Sequence, residues 1–519
     1  FYPIDFNPVT GCLNLYARIR VRIDYVDDFM AKASVAPAAP WQPPLLASVS
    51  DALAPEQISA IALWMPPIVV NPLAPMLSSM ATTIAAVWSP PDGFGAAVYK
   101  LSITAEGIYR IDRDFLLAQG LDGAQIDAID LEQIRVFNLG QEVAIYIYDE
   151  EGVAGELNAG DFIEFYAPAI DDTYSKYSAE NIYWLTLSGG TGFPKRMAAD
   201  DGAPAGAEEL GIDFVETLHH EKNQKIWLKA PGDDDLERWF FNTNVQGSAY
   251  GGLLVDFTIA VPDPVSSGTL TIMMAAKTSA DHEVKVQING TEQSFMWSGI
   301  SFYEASLDDV NLFDGDNTVT LQCLSADGND VIVIDYFAIT YRRDYVAAAD
   351  DTLKFCPDNG SRYVIDGFSS DALLAYDISD PADVVKVDRA EIAVANPFSI
   401  EFEPASLGDT YFVVAAAAIN APDSLVEDSA SSLYDTENGA DYILITHRNV
   451  GWDLNGDALS WLTDLVKHRE SQGLRVLVAD IEDIYDEFSY GIKSPQAVKD
   501  FLSYAYYNWT PPAPRYVLL

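Results

Sequence analysis

Four carboxylates stand close together late in the sequence: Asp480, Asp483, Asp486 and Glu487. They follow the mostly apolar run Leu474–Ala479, which predicts a strand. Oxygen atoms gathered on a loop are the ligands that Ca²⁺ prefers in proteins. We therefore predict a calcium site at Asp483, Asp486 and Glu487, with calcium as the candidate cofactor. The alternative is a solvated loop whose charges also cap a helix.

A second oxygen-rich run, Asp453-Leu454-Asn455-Gly456-Asp457, spaces its oxygen-bearing residues alternately, as a calcium loop does. It lacks the glycine that such loops carry at the sixth position, and it leads directly into a segment with helical periodicity. We therefore predict that Asp457 caps a helix. His447 follows another predicted strand, and open α/β sheets bind ligands at such strand ends.

The three cysteines, Cys12, Cys323 and Cys356, are far apart and odd in number. They fit neither a disulfide framework nor a metal cluster, and each is predicted to be a small buried apolar residue. Cysteine catalysis needs a thiolate with a histidine within hydrogen-bond reach. His219 and His220 lie between two predicted β domains, and we predict a hinge or domain-contact role for them.

The elements that carry the carboxylates predict a strand–helix–strand–helix–strand unit. The strands are Tyr442–Thr446, Leu474–Ala479 and Arg515–Leu519. The first is a continuous apolar run, as expected of a strand that is buried on both faces. The first helix is predicted to end at Gly473, and the second to begin at Ser494-Pro495, with serine as its cap and proline in its first turn. Short connections of this kind predict a parallel sheet with right-handed crossovers.

Upstream, short strands alternate with glycine-rich and acidic turns, so we predict a multidomain, mainly β protein with β-sandwich or jelly-roll domains. Its last part is the first βαβαβ of an α/β parallel-sheet domain. The predicted units are a hairpin (1–33), an Ala/Pro-rich linker (34–95), a β-rich accessory domain (96–225), a jelly-roll-like sandwich (226–345), a β-rich domain (346–438) and the α/β domain (439–519). Trp239, Trp297 and Tyr336 could stack on sugars, although packing within the sheets is the simpler interpretation.

The charge balance excludes two classes of partner. The sequence holds 78 Asp and Glu against 30 Lys and Arg, a formal net charge of −48. Such a surface repels nucleic acid and anionic membranes. The uncharged segment Gln57–Pro91 is interrupted by prolines into pieces too short for a transmembrane helix, so we predict no membrane span.

Several runs resemble a known family. Tyr442–His447, Ile484–Pro495 and Tyr516–Leu519 closely resemble the start of the gingipain (C25) cysteine peptidase domain. Weaker similarity to multidomain members of that family continues upstream, for example at Gly160–Tyr166 and His220–Asn223. The resemblance implies a caspase/gingipain-like fold, a secreted or bacterial cell-surface protein, and calcium binding, which gingipain-like enzymes show.

The resemblance also places the catalytic Cys and His of such enzymes beyond Leu519. It puts His447 upstream of that pair, which implies a structural or surface histidine, and it leaves no catalytic residue to name here. We expect the N-terminal portion of an endopeptidase that acts on proteins, and expect this chain alone to be inactive. Its partners would be those protein substrates and the rest of its own polypeptide, or another chain, completing the sheet. The alternatives are a sortase-like surface peptidase of type IX secretion and a non-catalytic β-domain binding or structural protein.

Overall fold

The computed structural model describes Ile4–Asn7, Cys12–Leu15 and residues 97–519, apart from 151, 176, 190–191, 207–208, 233–237, 394–396, 405–407 and 454. The chain divides into two compact units, Phe1–Ile68 and Val69–Leu519. In the first unit, β1 (Ile4–Asn7) and β2 (Cys12–Leu15) pair antiparallel. This pairing agrees with the predicted hairpin, whose bounds (1–33) stay a prediction. The rest of the predicted 1–33 hairpin, the 34–95 linker and the uncharged Gln57–Pro91 segment lie outside the described residues.

The first described part of the second compact unit is a β-rich region, hereafter the accessory unit. Its strands are β3 (Val98–Ile103), β4 (Gly107–Asp112), β5 (Arg135–Asn138), β6 (Gln141–Val143), β7 (Tyr146–Tyr148), β8 (Phe162–Ala167), β9 (Asn181–Thr186) and β10 (Ala198–Asp201). Its α-helices are Arg113–Ala118, Gly123–Asp127 and Asp172–Ser175, and Leu131–Gln133 is a 3₁₀ turn. The Asp112 side chain caps the first of these helices by accepting the Phe115 amide at 2.8 Å.

A β-sandwich follows. Its strands are β11 (Phe214–Glu221), β12 (Lys225–Ile226), β13 (Trp239–Phe240), β14 (Asn244–Gln246), β15 (Val255–Val261), β16 (Gly268–Ala276), β17 (Asp281–Ile288), β18 (Thr291–Ser298), β19 (Phe302–Val310), β20 (Gly315–Cys323) and β21 (Val331–Arg343). A 3₁₀ turn spans Ser248–Tyr250. One sheet has the order β11-β21-β16-β19 and the other β15-β20-β17-β18, all antiparallel. Alternate residues of both sheets form one apolar core, as period-two sequences require.

His219 and His220 lie within β11, so their predicted position between two β domains, with a hinge role, was wrong. Their strand pairs with β21 along its whole length, and the His219 ring packs on Tyr336 with centroids 4.7 Å apart. The run His219-His220 therefore continues the alternation of a sheet strand. A strand with polar residues on its outer face resembles a linker in sequence, because neither segment shows a strong apolar periodicity.

A third β region contains β22 (Thr352–Phe355), β23 (Tyr363–Phe368), β24 (Leu373–Asp377), β25 (Val385–Asp388), β26 (Glu391–Ala393), β27 (Phe398–Phe402), β28 (Tyr411–Ala415) and β29 (Ser424–Glu427). A 3₁₀ turn spans Ala416–Ala418. Two pairings return to the accessory unit: β10 pairs with β25, and β29 pairs antiparallel with β3. The chain thus rejoins the accessory sheet immediately before the α/β segment. The predicted bounds of the six units stay predictions.

The α/β segment holds β30 (Tyr442–Thr446), β31 (Val476–Asp480) and β32 (Tyr516–Leu518) in a parallel sheet of order β31-β30-β32. This confirms the predicted βαβαβ. Its helices are Arg448–Gly451, Ser460–Ser471, Ile481–Phe488 and Pro495–Asn508. Ser494 caps the last helix, with Pro495 in its first turn, as predicted.

Asp457 does not cap a helix, so that prediction was wrong. The helix begins at Ser460, and its N-cap position is Leu459, which makes no side-chain cap. The carboxylate at the start of the same run, Asp453, instead accepts the amides of Asn455 and Asp457 at 2.8 and 3.0 Å. The run is an Asx turn, because a short acidic side chain can bond to the backbone two residues ahead.

In the part of the chain that the structure describes, no helix is both long and apolar enough to cross a membrane.

Candidate functional site

The carboxyl ends of β30 and β31 form the edge where open parallel sheets bind ligands. His447 and Arg448 follow β30, and Asp480 is the last residue of β31. Asp480 is also the N-cap of the helix Ile481–Phe488, accepting the Glu482 amide at 3.1 Å. Polar and charged groups from two neighbouring strands are therefore brought together at one edge.

Arg448 is the centre of this edge. Its Nε donates to Asp480 Oδ2 at 2.7 Å, its Nη2 donates to Asp483 Oδ1 at 3.4 Å, and its amide donates to Asp480 Oδ1 at 3.3 Å. Burial and the charge of Asp480 raise the pKa of Asp483 to about 6, although Arg448 opposes that rise. The guanidinium thus ties the turn after β30 to the end of β31.

His447 has the structural role that the family resemblance implied. Its Nδ1 accepts the Asn449 amide at 3.0 Å and so caps the short helix Arg448–Gly451. Because Nδ1 is an acceptor in this arrangement, the ring proton is on Nε2, which lies 3.4 Å from a Glu482 carboxylate oxygen. The ring therefore helps to order the edge.

The residues predicted to bind calcium lie on a helix, so their placement on a loop was wrong. Asp483, Asp486 and Glu487 belong to the helix Ile481–Phe488, in which Asp486 and Glu487 are buried. Successive residues on a helix point about 100° apart, so neighbouring carboxylates face different surroundings. Among the described residues, no three His, Cys, Asp or Glu side chains converge as a metal site would require. The calcium hypothesis stays a prediction.

Asp486 faces the accessory unit. Lys100 on β3 donates to both of its carboxylate oxygens, at 2.9 and 2.8 Å, and the same ammonium lies 3.9 Å from Asp428. The Lys100 ammonium also lies 5.7 Å from the ring centroid of Trp184. Burial raises the pKa of Asp486 to about 8, although Lys100 opposes that rise. This carboxylate joins two parts of the fold.

Glu487 faces the chain segment that leads into β30. It accepts the Ser431 hydroxyl and the amides of Leu433 and Tyr434, the latter two at 2.8 and 2.9 Å. One buried carboxylate therefore satisfies three donors of a segment without regular structure. The route from the accessory unit into the parallel sheet is fixed by this side chain.

The turn after the helix Ile481–Phe488 also packs on the accessory sheet. The Trp184 indole donates to the Tyr490 carbonyl at 2.8 Å, and Ile492 is buried against Val98 and Ile182. A Cβ at Gly491, whose φ is +89°, would lie 2.8 Å from a methyl of Ile182. Part of the run Ile484–Pro495, which carries the family resemblance, therefore packs against the accessory sheet.

A buried polar network in the sandwich escaped sequence interpretation. His282 Nδ1 lies 2.9 Å from Asp330 Oδ2, and its Nε2 lies 2.9 Å from the Gly299 carbonyl. Ser325 donates to Asp330 at 2.6 Å, and Thr278 donates to it as well. These hydrogen bonds hold the pKa of Asp330 below its usual range, against its burial. Both His282 and Asp330 are fully enclosed, so the network stabilises the sandwich core.

The described cysteines differ from each other. Cys323 is buried beside that network, and burial raises the pKa of its thiol, which opposes formation of a reactive thiolate. Its prediction as a buried apolar residue is confirmed. Cys356 is exposed, with its sulfur 3.4 Å from the Thr410 hydroxyl, so the same prediction was wrong there.

The three aromatic residues considered for sugar stacking are partly buried. Trp297 stacks on Tyr303, with centroids 4.7 Å apart and planes 8° apart, and lies beside the His282 ring. Tyr336 packs against His219 on the outer face of the other sheet. Trp239 lies in β13, opposite Ile226. Each therefore has a packing partner within the sandwich.

A polar cavity of about 560 Å³ lies among β4, β11, β21, β22 and β28. Its charged lining residues are Glu106, Glu216, Arg343, Asp350 and Lys354. The lining carries both signs of charge, and Lys354 donates to Glu106 at 2.5 Å. The cavity is a water-accessible junction between β units.

Comparison with known proteins gives one family match. Residues 435–519 match the model of peptidase family C25. No curated protein matches the chain. Among solved structures, the chain is similar to dimeric latent PorU from Porphyromonas gingivalis, with 18% identity and a TM-score of 0.55. That match covers 79% of this chain but 39% of the PorU chain, so this chain spans well under half of that protein.

Two carbohydrate-binding modules match a smaller part. CBM35 from Cellvibrio japonicus Abf62 is 22% identical over 25% of this chain and 97% of its own, with a TM-score of 0.20. A family 35 module from Clostridium thermocellum is 16% identical over 27% of this chain and 98% of its own, with a TM-score of 0.16. TM-scores this low support no inference about the sandwich. Residues 435–519 thus match the model of peptidase family C25, in agreement with their resemblance to gingipains, and they fold as a parallel sheet.

Proposed function

We propose that this chain is the N-terminal portion of a secreted, gingipain-like cysteine endopeptidase that acts on proteins. The observation that carries the proposal is the match of residues 435–519 to peptidase family C25. The parallel sheet β31-β30-β32 supports it, because such a sheet presents its carboxyl edge to ligands. The β-rich regions before it would position the peptidase domain, and the protein would be extracellular or held at a bacterial surface.

The chemistry of cysteine peptidases determines which parts of such an enzyme would carry out catalysis. A cysteine nucleophile, a histidine base and an oxyanion site must meet within hydrogen-bond reach. Of the described residues, Cys323 is buried in the sandwich and His447 caps a helix, so neither has a place in such a site. The catalytic pair would come from the remainder of the C25 domain, and the residues described here would supply its first three strands.

The test compares two polypeptides: these 519 residues alone, and these residues followed by a complete C25 domain. We expect the longer polypeptide to cleave unfolded casein and to lose that activity after treatment with iodoacetamide. The shorter polypeptide should not cleave casein. Cys356→Ser is the matched control, because Cys356 is an exposed thiol outside the α/β segment. Activity that survives alkylation of the longer polypeptide would overturn the cysteine mechanism.

A second candidate is a sortase-like surface peptidase of type IX secretion, which would remove sorting signals from exported proteins. The fold similarity to PorU over 79% of this chain favours it, because that share is far larger than the α/β segment and so extends into the β-rich regions. Copurification with outer-membrane translocon components, together with cleavage restricted to proteins that carry a sorting signal, would favour this candidate over a general endopeptidase.

A further inference from the structure

The helix Ile481–Phe488, hereafter the coupling helix, contacts three separate parts of the fold. It has 8 residues and is therefore only about 12 Å long. Asp480 at its N-cap and Asp483 in its first turn hold Arg448 at the carboxyl edge of the parallel sheet. Asp486, one turn beyond Asp483, is held by Lys100 of the accessory unit.

The contact between Lys100 and Asp486 is a buried one. The side chains are 14% and 2% exposed, and Lys100 donates to both oxygens of one carboxylate. An ammonium group held by both oxygens of one buried carboxyl group has little freedom to rearrange without leaving its own charge buried and unpaired. The pair therefore fixes the axial position of the coupling helix relative to β3.

The other contacts of the coupling helix leave it little freedom to adjust. Glu487, adjacent to Asp486, holds the amides of Leu433 and Tyr434 in the segment that enters β30. Ile484 is completely buried in the core of the α/β segment. A short helix anchored on three sides moves as one body, so a shift at Asp486 is transmitted to Asp480 and Asp483.

We infer that Lys100 is a positioning residue for the carboxyl edge of the peptidase sheet, acting through Asp486 and the coupling helix on Arg448. The accessory unit then determines the geometry of the edge that faces ligands. That this edge faces the substrate rests on the proposed function. The coupling between Lys100 and Arg448 does not depend on that function, because all the residues involved lie within the 519-residue chain.

Hydrogen–deuterium exchange on the whole 519-residue chain tests the inference without any assay of activity. Lys100→Met removes the ammonium and leaves Asp486 buried without it. We expect the amides of Arg448 and Glu482, which donate to Asp480, to exchange faster by roughly tenfold or more. Amides within β17 and β20 of the sandwich should keep their exchange rates.

Two further variants separate coupling from general loss of stability. Lys285→Met removes a lysine from an ion pair with Glu292 on the sandwich surface, and it should leave exchange at Arg448 unchanged. Lys100→Met combined with Asp486→Leu replaces the ion pair by apolar side chains of similar volume, and it should restore slow exchange at Arg448. If Lys100→Met fails to fold, Asp486→Asn is the milder substitute and should give a smaller acceleration at the same amides.

The inference is overturned if Lys100→Met leaves exchange at Arg448 and Glu482 unchanged, or if it accelerates exchange equally in the sandwich strands. It is also overturned if the double variant exchanges as fast at Arg448 as Lys100→Met alone. None of these outcomes bears on peptidase activity, which the casein experiment tests separately.

Discussion

Two buried carboxylates of this protein, Asp330 in the sandwich and Asp486 beside the accessory unit, show opposite pKa shifts. Both are almost completely excluded from water. Asp330 receives hydrogen bonds from Ser325 and Thr278 and pairs with His282, and its pKa is lowered. Several donors directed at one carboxylate outweigh the cost of its burial.

Asp486 takes its hydrogen bonds from Lys100, whose ammonium also lies near a second buried carboxylate, Asp428. Here burial outweighs attraction and raises the pKa of Asp486 to about 8. The difference between the two sites is therefore the number of donors for each buried negative charge. In the sandwich, every hydrogen bond of the network is made within one domain. Between the accessory unit and the coupling helix, two buried carboxylates share one ammonium group, and this arrangement requires the two regions to dock closely.

The largest expected effect is loss of the sandwich network. Asp330→Ala leaves His282, Ser325 and Thr278 buried without their shared acceptor, and should lower the free energy of unfolding of the sandwich by about 3–5 kcal/mol. Chemical denaturation monitored by exchange of sandwich amides measures it. Asp316→Ala, at an exposed position of β20, is the matched control and should cost less than about 0.5 kcal/mol. A similar cost for both variants would contradict the assignment.

The next effect concerns the contact between the accessory sheet and the turn at Gly491. Gly491→Ala adds a methyl that meets Ile182 and also requires a positive φ, so it should destabilise by roughly 2–4 kcal/mol. Gly473 has a similar φ of +80°, yet its added Cβ would meet no described atom within 4 Å. Gly473→Ala should therefore cost only about 1 kcal/mol, the conformational part. Equal midpoints of thermal unfolding for the two variants would show that the close approach carries no energy.

The two carboxylates should respond to pH in opposite directions. The pKa of Asp330 is lowered in the folded state, so its contribution to sandwich stability is present above about pH 4 and is lost as the pH falls through the lowered value. The pKa of Asp486 is raised to about 8, so the folded chain holds a proton there that the unfolded chain loses near pH 4. Stability at the interface should therefore decline as the pH rises from about 4 to about 8.

Exchange measured at several pH values, after correction for the intrinsic rates, gives both slopes from one sample. Asp486→Asn cannot ionise, so it should flatten the decline at the coupling helix and leave the acid sensitivity of the sandwich unchanged. Asp483, with a pKa raised to about 6, should contribute a smaller decline of the same sign. If the stability of the coupling helix against the accessory unit instead increases between pH 4 and pH 8, the number of donors does not explain the opposite pKa shifts.

The smallest expected effect is that of calcium. A site with a dissociation constant of about 10 µM would add about 2.7 kcal/mol of stability at about 1 mM Ca²⁺. We expect less than about 0.5 kcal/mol, because Asp483, Asp486 and Glu487 each already accept hydrogen bonds from protein donors. Thermal unfolding in calcium and in EGTA measures the difference. A large calcium-dependent rise that Asp483→Asn abolishes would instead favour the calcium site that the sequence predicts.

Much of the α/β segment could be predicted from local patterns. A continuous apolar run predicted β30 with the same ends as the structure shows, and Ser494-Pro495 predicted the start of the last helix. These features succeed because a buried parallel strand and a capped helix each express their surroundings in a few adjacent residues. The failures at Asp457 and His219 arose where polar residues satisfy several local structures equally well.

The candidate site was less accessible to sequence reasoning. The acidic residues after β31 were identified as a group, but their roles depend on partners far along the chain: Asp486 and Lys100 are 386 positions apart. Helical spacing of Asp483 and Asp486, three residues apart, was the available signal that they lie on one helix. His282 and Asp330 carried no signal, because each is an ordinary polar residue in a strand or turn until the two sheets close.

The sequence by itself determined the order of elements, the parallel βαβαβ and the similarity of residues 435–519 to peptidase family C25, because these depend on periodicity, caps and runs of adjacent residues. Only the tertiary structure decided what the acidic helix does. Whether a carboxylate binds a metal, caps a helix or holds a distant lysine depends on which donors surround it. That is set by the docking of β3 and the Leu433–Tyr434 backbone on the coupling helix, and no local pattern encodes such a contact.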